Sequence, residues 1–294
     1  MLILLPSEYY CIEKIEPDYA TEYEAICNIP EFKTILYNYD GFVAGDKLKT
    51  YPSDYYAGDC IYRGWMLTPE QYSLLYNTLS DRGITLINSP YEYNACHLFP
   101  SVRDALGNHT PTSLCFEHGE DIDWDLVNST FRRFFIKDYV KSVKGHGFPD
   151  FFETPVTSEI MSAHISSFIE LRGNLYTGGI VLKEYVDLMR YGSFTNEYRA
   201  FYLFRELLSL CRNSNQPDSC ATVPLDFVKR FADLPSNYYT VDFAELADGR
   251  WIVIETGDGQ VSGLSPNQFA FKYYDDMKTV LRHSKIANQD ANCK

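Results

Sequence analysis

The 294-residue sequence predicts a mixed fold of the α/β (α+β) class, and two patterns carry that prediction. In the first hundred residues, strand-like apolar runs alternate with a helical segment, which is typical of an open α/β sheet. Near the C-terminus two apolar runs meet at Asp248-Gly249, a strong hairpin signal because a type I′ turn needs positive φ at both central residues. We therefore expect an N-terminal α/β domain over residues 1–110 and a second domain over residues 111–294, divided at the turn-rich stretch 107–113.

The elements of the first domain follow from apolar runs and helix signals. Thr68 and Pro69 predict a helix start, because threonine caps free N–H groups of the first turn and proline fits the first helical position. Gly83 marks the end of that helix. The remaining apolar runs predict strands over residues 1–6, 60–67 and 84–88.

The elements of the second domain are predicted in the same way. Ser158 starts a helix that ends before Gly173, and Ser265-Pro266 starts a closing helix that reaches about residue 283. The stretch 197–211 is apolar enough for either a helix or two strands, and its periodicity favours neither. Strands are expected over residues 134–140 and 179–188, and a glycine-containing loop over residues 141–149.

Composition excludes several classes of function. A net charge of -14 argues against binding to duplex nucleic acid or to an anionic membrane, because both need a basic face. The eight cysteines form no C-x-x-C motif, so we expect reduced thiols in a cytoplasmic protein. The N-terminal apolar run is too short for a signal peptide, and no apolar stretch is long enough to span a membrane.

Two acidic residues lie inside the predicted hairpin. A two-residue loop would place Ala247 opposite Arg250 and, further along both strands, Asp242 opposite Glu255. Their Cβ atoms would then lie about 4.5–5.5 Å apart, and like charges so placed are destabilising unless something neutralises them. Mg²⁺ would do so, because it takes one or two carboxylates together with substrate phosphates. Alternatively the pair points into solvent, or one acid is protonated.

Basic residues gather in a second cluster, upstream of the acidic one. Lysines on a strand followed by a glycine loop suit a polyphosphate, although a basic run is more often a solvated face. Between the two clusters, Glu197 and Arg199 share one face of a possible strand, where they contact phosphate and metal or pair with each other. The basic cluster comprises Arg132, Arg133, Lys137, Lys141 and Lys144, followed by Gly145 and Gly147.

These features, in this order, resemble the ATP-grasp superfamily over residues from about 111 to 290. The stretches are FIKDYVKSVKGHG at 135–147, IVLKEYVDL at 180–188, NEYRAF at 196–201 and VDFAELADGRWIVIETGDGQ at 241–260. Their order matches the nucleotide lid, adenine hinge, arginine-bearing strand and metal hairpin of that superfamily. YRGWML at 62–67, NACHLFP at 94–100 and GDGQVSGL at 257–264 are similar to a divergent bacterial and phage group, related to the eukaryotic chaperone that assembles translation initiation factor 2.

The resemblance implies an ATP-grasp fold behind an N-terminal pre-ATP-grasp domain, with a lid at about 130–186 and a metal-binding lobe at about 187–290. It implies ATP and Mg²⁺ as ligands. Many ATP-grasp ligases have asparagine two residues after the metal-binding glutamate, where this chain has Gly257, so Asp258 is expected to replace it. The implied site residues are Lys137, Lys141 and Lys144 at the phosphates, Lys183, Glu184, Tyr185, Val186 and Asp187 at the adenosine, Arg199 at the transferring phosphoryl group, and Asp242, Glu255 and Asp258 at the metal.

Three functions follow from the resemblance. The first is an ATP-dependent ligase that joins a carboxylate to an amine through an acyl phosphate, with a small molecule, peptide or protein as substrate. The second is a Mg-ATP-binding assembly factor for a protein partner, and the third a phosphotransferase with a non-carboxylate acceptor. In the ligase, Arg63 would bind the carboxylate, unless it is a structural arginine. His97 either assists proton transfer or is a hydrogen-bonded core residue.

Overall fold

A computed structural model describes residues 1–54, 57–143, 145 and 147–292, with side chains up to residue 284 in the last helix. Both helices and sheets are present, which confirms the mixed α/β class. Three main sheets are built from successive stretches of the chain, the first from residues 2–86, the second from 113–184 and the third from 197–258. No helix among the described residues is long and apolar enough to cross a membrane.

The first sheet is largely parallel and has helices between its strands. β1 pairs in parallel with β3 and β5, and β5 pairs in parallel with β6, so the strand order is β4-β3-β1-β5-β6 with β2 at the end of β1. The strands are β1 Leu2–Glu8, β2 Cys11–Ile15, β3 Lys33–Tyr37, β4 Thr50–Tyr51, β5 Gly58–Tyr62 and β6 Ile84–Leu86, and the helices α1 Ala20–Cys27, α2 Tyr39–Val43, α3 Pro69–Ser80, α4 Pro90–His97 and α5 Phe99–Leu106.

The second sheet is antiparallel and has the order β7-β10-β8-β9. Its strands are β7 Ser113–Phe116, β8 Arg133–Lys137, β9 Phe152–Glu153 and β10 Ile180–Glu184, accompanied by α6 Trp124–Thr130 and α7 Ser158–Arg172. A small hairpin follows, β11 Arg190–Tyr191 with β12 Phe194–Thr195. It leads into the third sheet.

The third sheet is antiparallel, with the order β14-β13-β15-β16. The ambiguous stretch 197–211 forms two strands, which turn at Phe204 and Arg205 with positive φ at both, as tight hairpins require. The elements are β13 Glu197–Leu203, β14 Glu206–Arg212, α8 Leu225–Lys229, β15 Tyr238–Glu245, β16 Trp251–Asp258 and α9 Ala270–Asn292.

The hydrophobic core includes residues from both sides of the predicted boundary at residue 110. Ile3 and Ile26 from the first domain share one buried cluster with Phe201 and Tyr238 from the third sheet and Tyr273 from α9. The closing helix therefore packs on the N-terminal region, and the division into two domains stays a prediction.

Several predicted strands are longer than the observed ones. β8 ends at Lys137 because the Asp138 carboxylate accepts hydrogen bonds from the N–H groups of Val140 and Lys141, which turns the chain. The predicted strand 60–67 likewise ends at Tyr62, and the strand 179–188 ends at Glu184. In each case the residues beyond the strand end line one of the two cavities described below.

Candidate functional site

The predicted pairing of Asp242 with Glu255 is confirmed, although the turn that was expected to produce it is not the observed one. Leu246 N–H donates to the Arg250 carbonyl, which leaves a three-residue loop ending at Gly249 in positive φ. This loop shifts the register of the strands by one residue. An extra residue at Ile254 bulges out of β16 and restores the register, so that Asp242 and Glu255 are partners.

Cations neutralise both carboxylates. Arg199 makes a bidentate pair with Asp242, Nε to Oδ1 at 2.8 Å and Nη2 to Oδ2 at 2.7 Å. Lys141 Nζ lies 2.6 Å from Glu255 Oε1. Burial alone would raise the pKa of Glu255, but Lys141 and Lys137 outweigh it and lower that pKa to about 2. Glu255 is therefore held in the ionised form that a cation or a phosphate-bound metal would need, whereas burial outweighs Arg199 and raises the pKa of Asp242.

Two more lysines lie buried behind this pair. Lys137 on β8 and Lys183 on β10 point at the ring of Phe99, with Nζ 5.4 Å and 4.3 Å from its centroid. Lys183 Nζ also donates to the Ile254 carbonyl at 2.9 Å, so the bulge supplies this lysine with an acceptor. Burial and the neighbouring Lys137 lower the pKa of Lys183 to about 7. Such a pair of partly desolvated lysines favours an anionic ligand.

The loop after β8 carries Lys141, and Asp138 holds it in place. The fully buried Asp138 accepts from Arg172 Nε at 2.8 Å as well as from the two N–H groups that turn the chain. Lys141 is thereby fixed at the edge of the cleft. Lys144, the alternative phosphate residue, lies outside the described residues.

A cleft of about 910 Å³ separates the second sheet from the third. Lys137, Lys141 and Glu255 line one part of it, and the segment after β10 lines another. The predicted hinge residues Glu184, Tyr185, Val186 and Asp187, with Lys183, all line this cleft.

The hinge end of the cleft is aromatic. Arg133 lies against the rings of Phe151 and Tyr185, at 5.6 Å and 5.2 Å from their centroids, and pairs with Asp187 at 2.6 Å. Within the described residues, neither the N–H nor the carbonyl of Val186 has a backbone hydrogen-bond partner. Aromatic rings therefore lie beside a residue whose two backbone groups have no backbone partner.

The prediction that Asp258 binds metal is wrong. Because successive side chains of a strand point to opposite faces, Asp258 lies on the face of β16 opposite to Glu255. Its carboxylate is fully buried and accepts from Asn88 Nδ2 and from the N–H of Gln260 at 2.9 Å. Burial raises the pKa of Asp258 to about 7, against the hydrogen bonds from those two residues.

The structure also contradicts a substrate contact by Arg63. Its side chain is 1% exposed and makes a bidentate pair with Glu22, with Nε at 3.0 Å. Nη1 donates to the carbonyls of Gly259, Gln260 and Ser262. Every nitrogen of Arg63 is engaged in the interior, so this side chain fixes the loop after β16 and has no donor left for a substrate carboxylate. Arg63 is therefore a structural arginine, the alternative given in the sequence analysis.

A second cavity of about 490 Å³ adjoins the cleft, and Lys141 and Glu255 line both. His97 lines it, and its ring lies 4.8 Å from the Tyr93 ring, centroid to centroid, at an angle of 37°. Burial, with the nearby Lys141, lowers the pKa of His97 to about 3, so its imidazole is neutral near pH 7. Within the described part of the chain, the His97 imidazole makes no hydrogen bond.

Sequence reasoning missed several residues of these two cavities. Phe99 under the lysines and Asp138 under the loop after β8 lie inside the stretches 94–100 and 135–147, but no pattern in the sequence gave either of them a role. Asp40 and Trp65 line the second cavity, and only the WML run around Trp65 had attracted notice. Each acts through a distant neighbour, which a local pattern does not report.

The donor set fits Mg²⁺. Asp242 and Glu255 offer only carboxylate oxygens, which hard cations prefer, and Mg²⁺ needs no more than one or two carboxylates beside phosphates. No group of three or more His, Cys, Asp or Glu side chains suited to a metal occurs among the described residues. A metal here would therefore depend on the nucleotide for its remaining ligands.

Comparisons with known proteins agree on the fold. The chain is similar to D-cycloserine synthetase DcsG (15% identity, TM-score 0.61, 96% of this chain and 100% of that one). It is also similar to the D-alanine–D-alanine ligase from Bacillus anthracis complexed with ATP (14%, 0.57, 97% and 98%). A third similar structure is the macrocyclase MdnC bound with precursor peptide MdnA from Microcystis aeruginosa (15%, 0.53, 95% and 99%).

No curated protein matches the sequence. Residues 123–282 match a family described as an ATP-grasp domain, the third family of its clade. That match spans more than half of the chain and includes the lysines of the second sheet and the acidic hairpin. This protein is thus a member of that ATP-grasp domain family.

Proposed function

We propose that this protein is an ATP-dependent ligase that joins a carboxylate to an amine through an acyl phosphate. One observation carries the proposal: Lys137, Lys141 and Lys183 line a single cleft together with Glu255, whose partner on the neighbouring strand is Asp242. Cations for phosphate oxygens and carboxylates for a divalent ion are the parts that phosphoryl transfer requires.

The substrates would lie along the cleft in a definite order. The adenine would lie between the Tyr185 ring and the free backbone groups of Val186, with the ribose toward Asp187. The phosphates would then reach Lys137 and Lys141. Mg²⁺, held by Asp242 and Glu255, would offset the charge that develops on the phosphates.

The chain's own residues position the reacting groups. A substrate carboxylate oxygen attacks the γ-phosphorus, the bond to ADP breaks, and ADP leaves with the electron pair. The amine nitrogen then attacks the acyl carbon, and phosphate departs carrying the proton that the amine loses. Arg199 lines the second cavity beside Glu255, and its positive charge would steady the transferring group there.

The alternative, a Mg-ATP-binding assembly factor related to the eukaryotic chaperone, draws on one observation. Gly257 supplies no ligand where many ATP-grasp ligases have asparagine, and Asp258 points the other way. An assembly factor would bind Mg-ATP and a protein partner without forming an amide.

The proposal is tested by incubating the protein with Mg-ATP and pooled carboxylates and amines, with mass spectrometry of the products. We expect ADP, phosphate and a new amide mass, none of which forms with the Lys137→Ala variant. Oxygen-18 in the carboxylate should appear in the released phosphate. Label in AMP would contradict the acyl phosphate, and tight Mg-ATP binding without any product would favour the assembly factor.

A further inference from the structure

The second cavity lies where the acceptor of a phosphoryl or acyl group would enter. It meets the nucleotide cleft at Lys141 and Glu255, the end of the cleft away from the hinge residues. Its other wall comes from the first sheet region, with Tyr39, Asp40 and Trp65. An acceptor bound there would sit beside the terminal phosphate, so this inference rests on the proposed function.

Most polar groups on the cavity wall are already engaged. The Tyr39 hydroxyl donates to the Met66 carbonyl at 3.0 Å, and Thr256 Oγ1 donates to the Cys96 carbonyl at 3.0 Å. Two cations of the wall, Lys141 and Arg199, are paired with carboxylates of the hairpin. These contacts leave little on the wall to recognise a further anion.

Asp40 differs from all of them. It is half-buried at the start of α2, and no hydrogen bond or ion pair joins its carboxylate to any residue in the described part of the chain. An uncompensated carboxylate on a cavity wall gains most from a positively charged group on the ligand.

Two aromatic rings, those of Tyr39 and Trp65, line the cavity together with this carboxylate. The Trp65 ring lies 4.9 Å from the Tyr39 ring and 5.4 Å from the Tyr19 ring, centroid to centroid. Ring faces attract cations, and an anionic group nearby strengthens that preference. Burial and then Asp18, Asp40 and Glu8 raise the pKa of Glu16, so Asp40 contributes to a negative potential on this side of the cavity. His97 adds no opposing charge, because burial holds its imidazole neutral.

We propose that the second cavity binds the acceptor amine of the ligation as a molecule that carries a second positive charge. The attacking amine must be neutral when it forms the C–N bond, so it is not the charge that Asp40 holds. A separate ammonium or guanidinium group would pair with Asp40 against the Trp65 and Tyr39 rings. The acceptor class is therefore a diamine or a basic amino compound.

The test uses 1,5-diaminopentane and 5-amino-1-pentanol, which match in length and differ by one charge. Their binding to the full chain with Mg²⁺ and a non-hydrolysable ATP analogue is measured by calorimetry and by tryptophan fluorescence. We expect the diamine to bind about tenfold or more tighter, as a charge-assisted hydrogen bond implies. Asp40→Asn should abolish that preference, and Asp40→Glu should retain it.

The matched control is Asp46→Asn, which removes the same charge from an exposed residue of the same segment and should leave the preference intact. Equal binding of both amines to the unmodified chain, no binding of either at millimolar concentration, or a preference that survives in Asp40→Asn would overturn the inference. Thermal unfolding checks that each variant is folded. Failure of the ATP analogue to bind would instead count against the proposed ligase.

Discussion

Glu255 and Asp258 stand three residues apart on the same strand and behave as opposites. Glu255 faces the cleft, where lysines lower its pKa to about 2. Asp258 faces the first sheet region, where burial raises its pKa to about 7 and Asn88 and Gln260 donate to it. Both side chains end in a carboxylate and both belong to β16. The pleat of the strand places them on opposite faces, and the face determines the surroundings of each carboxylate.

The two faces of β16 teach how one strand serves chemistry and folding together. On the cleft side, Glu255 and Asp242 meet partly exposed cations that a ligand can rearrange. On the sealed side, Asp258 ties the hairpin to Asn88, which itself bonds the Tyr238 backbone through both side-chain atoms. These buried hydrogen bonds restrain the hairpin and thereby the residues on its cleft face.

The largest expected effect separates the two acids by activity. Glu255→Gln should lower Mg-dependent ADP formation about 10²- to 10³-fold, because it removes a group aimed at charge that develops on the phosphates. Asp258→Asn should cost less than about tenfold, since its side chain touches no part of the cleft. Steady-state ADP release with the substrate pair from the screen measures both. Equal losses in the two variants would mean that the faces do not divide the work as described.

A second difference lies in the pH dependence of stability. The folded-state pKa of Asp258 is raised, so its contribution to the free energy of unfolding is present below its usual pKa and is lost as pH rises through about 7. Asp258→Asn removes that loss. We expect the free energy of unfolding of the variant to fall less between about pH 5 and pH 8 than that of the unmodified chain.

Urea unfolding at each pH measures the free energy of unfolding. Asp46→Asn, at an exposed site, serves as the control, and its free energy of unfolding should change with pH as that of the unmodified chain does. Parallel curves for the unmodified chain and Asp258→Asn would show that the buried carboxyl keeps its ordinary pKa. The expected sign is opposite to that of a salt-bridged acid such as Glu255, whose contribution is lost on acidification.

The hairpin shows how far sequence reasoning reaches. The partner of Asp242 was predicted correctly from an incorrect turn, because a three-residue loop and a bulge at Ile254 offset each other. The carbonyl of the bulged residue Ile254 accepts a hydrogen bond from Lys183 on another sheet. A local sequence pattern does not report such a contact between distant segments. Asp258, by contrast, was misplaced although the period-two rule was at hand, since it lies an odd number of residues from Glu255.

Other residues were beyond the sequence for a different reason. Basic and acidic clusters mark the cleft, because phosphate and metal chemistry needs several like charges close together. Arg63 and Asp40 are single residues whose roles depend on burial and on neighbours far along the chain, Glu22 for one and Trp65 for the other. Fold class follows from periodic patterns, whereas burial of one side chain follows only from the packed structure.

The smallest effect concerns Gly257, which lies on the cleft face of β16 next to Glu255. A Cβ atom there would come 3.0 Å from Ser262 Oγ and 3.1 Å from Thr240 Oγ1. Those hydroxyls bond each other at 2.9 Å, and Ser262 also donates to the Asp258 carbonyl, so neither moves freely. Two hydroxyl groups thus fill the space in which a longer side chain at this position would lie.

Gly257→Ala should therefore destabilise the chain by about 1 kcal/mol, the lower end for an overpacked site. In the background of Ser262→Ala the nearest oxygen is gone, and the same change should become neutral or stabilising by about 0.4–1 kcal/mol through the entropy of the unfolded chain. A double-mutant cycle of urea unfolding measures this change of sign. If Gly257→Ala costs the same in both backgrounds, Ser262 does not crowd the position, and the Thr240 hydroxyl at 3.1 Å would be the remaining obstacle.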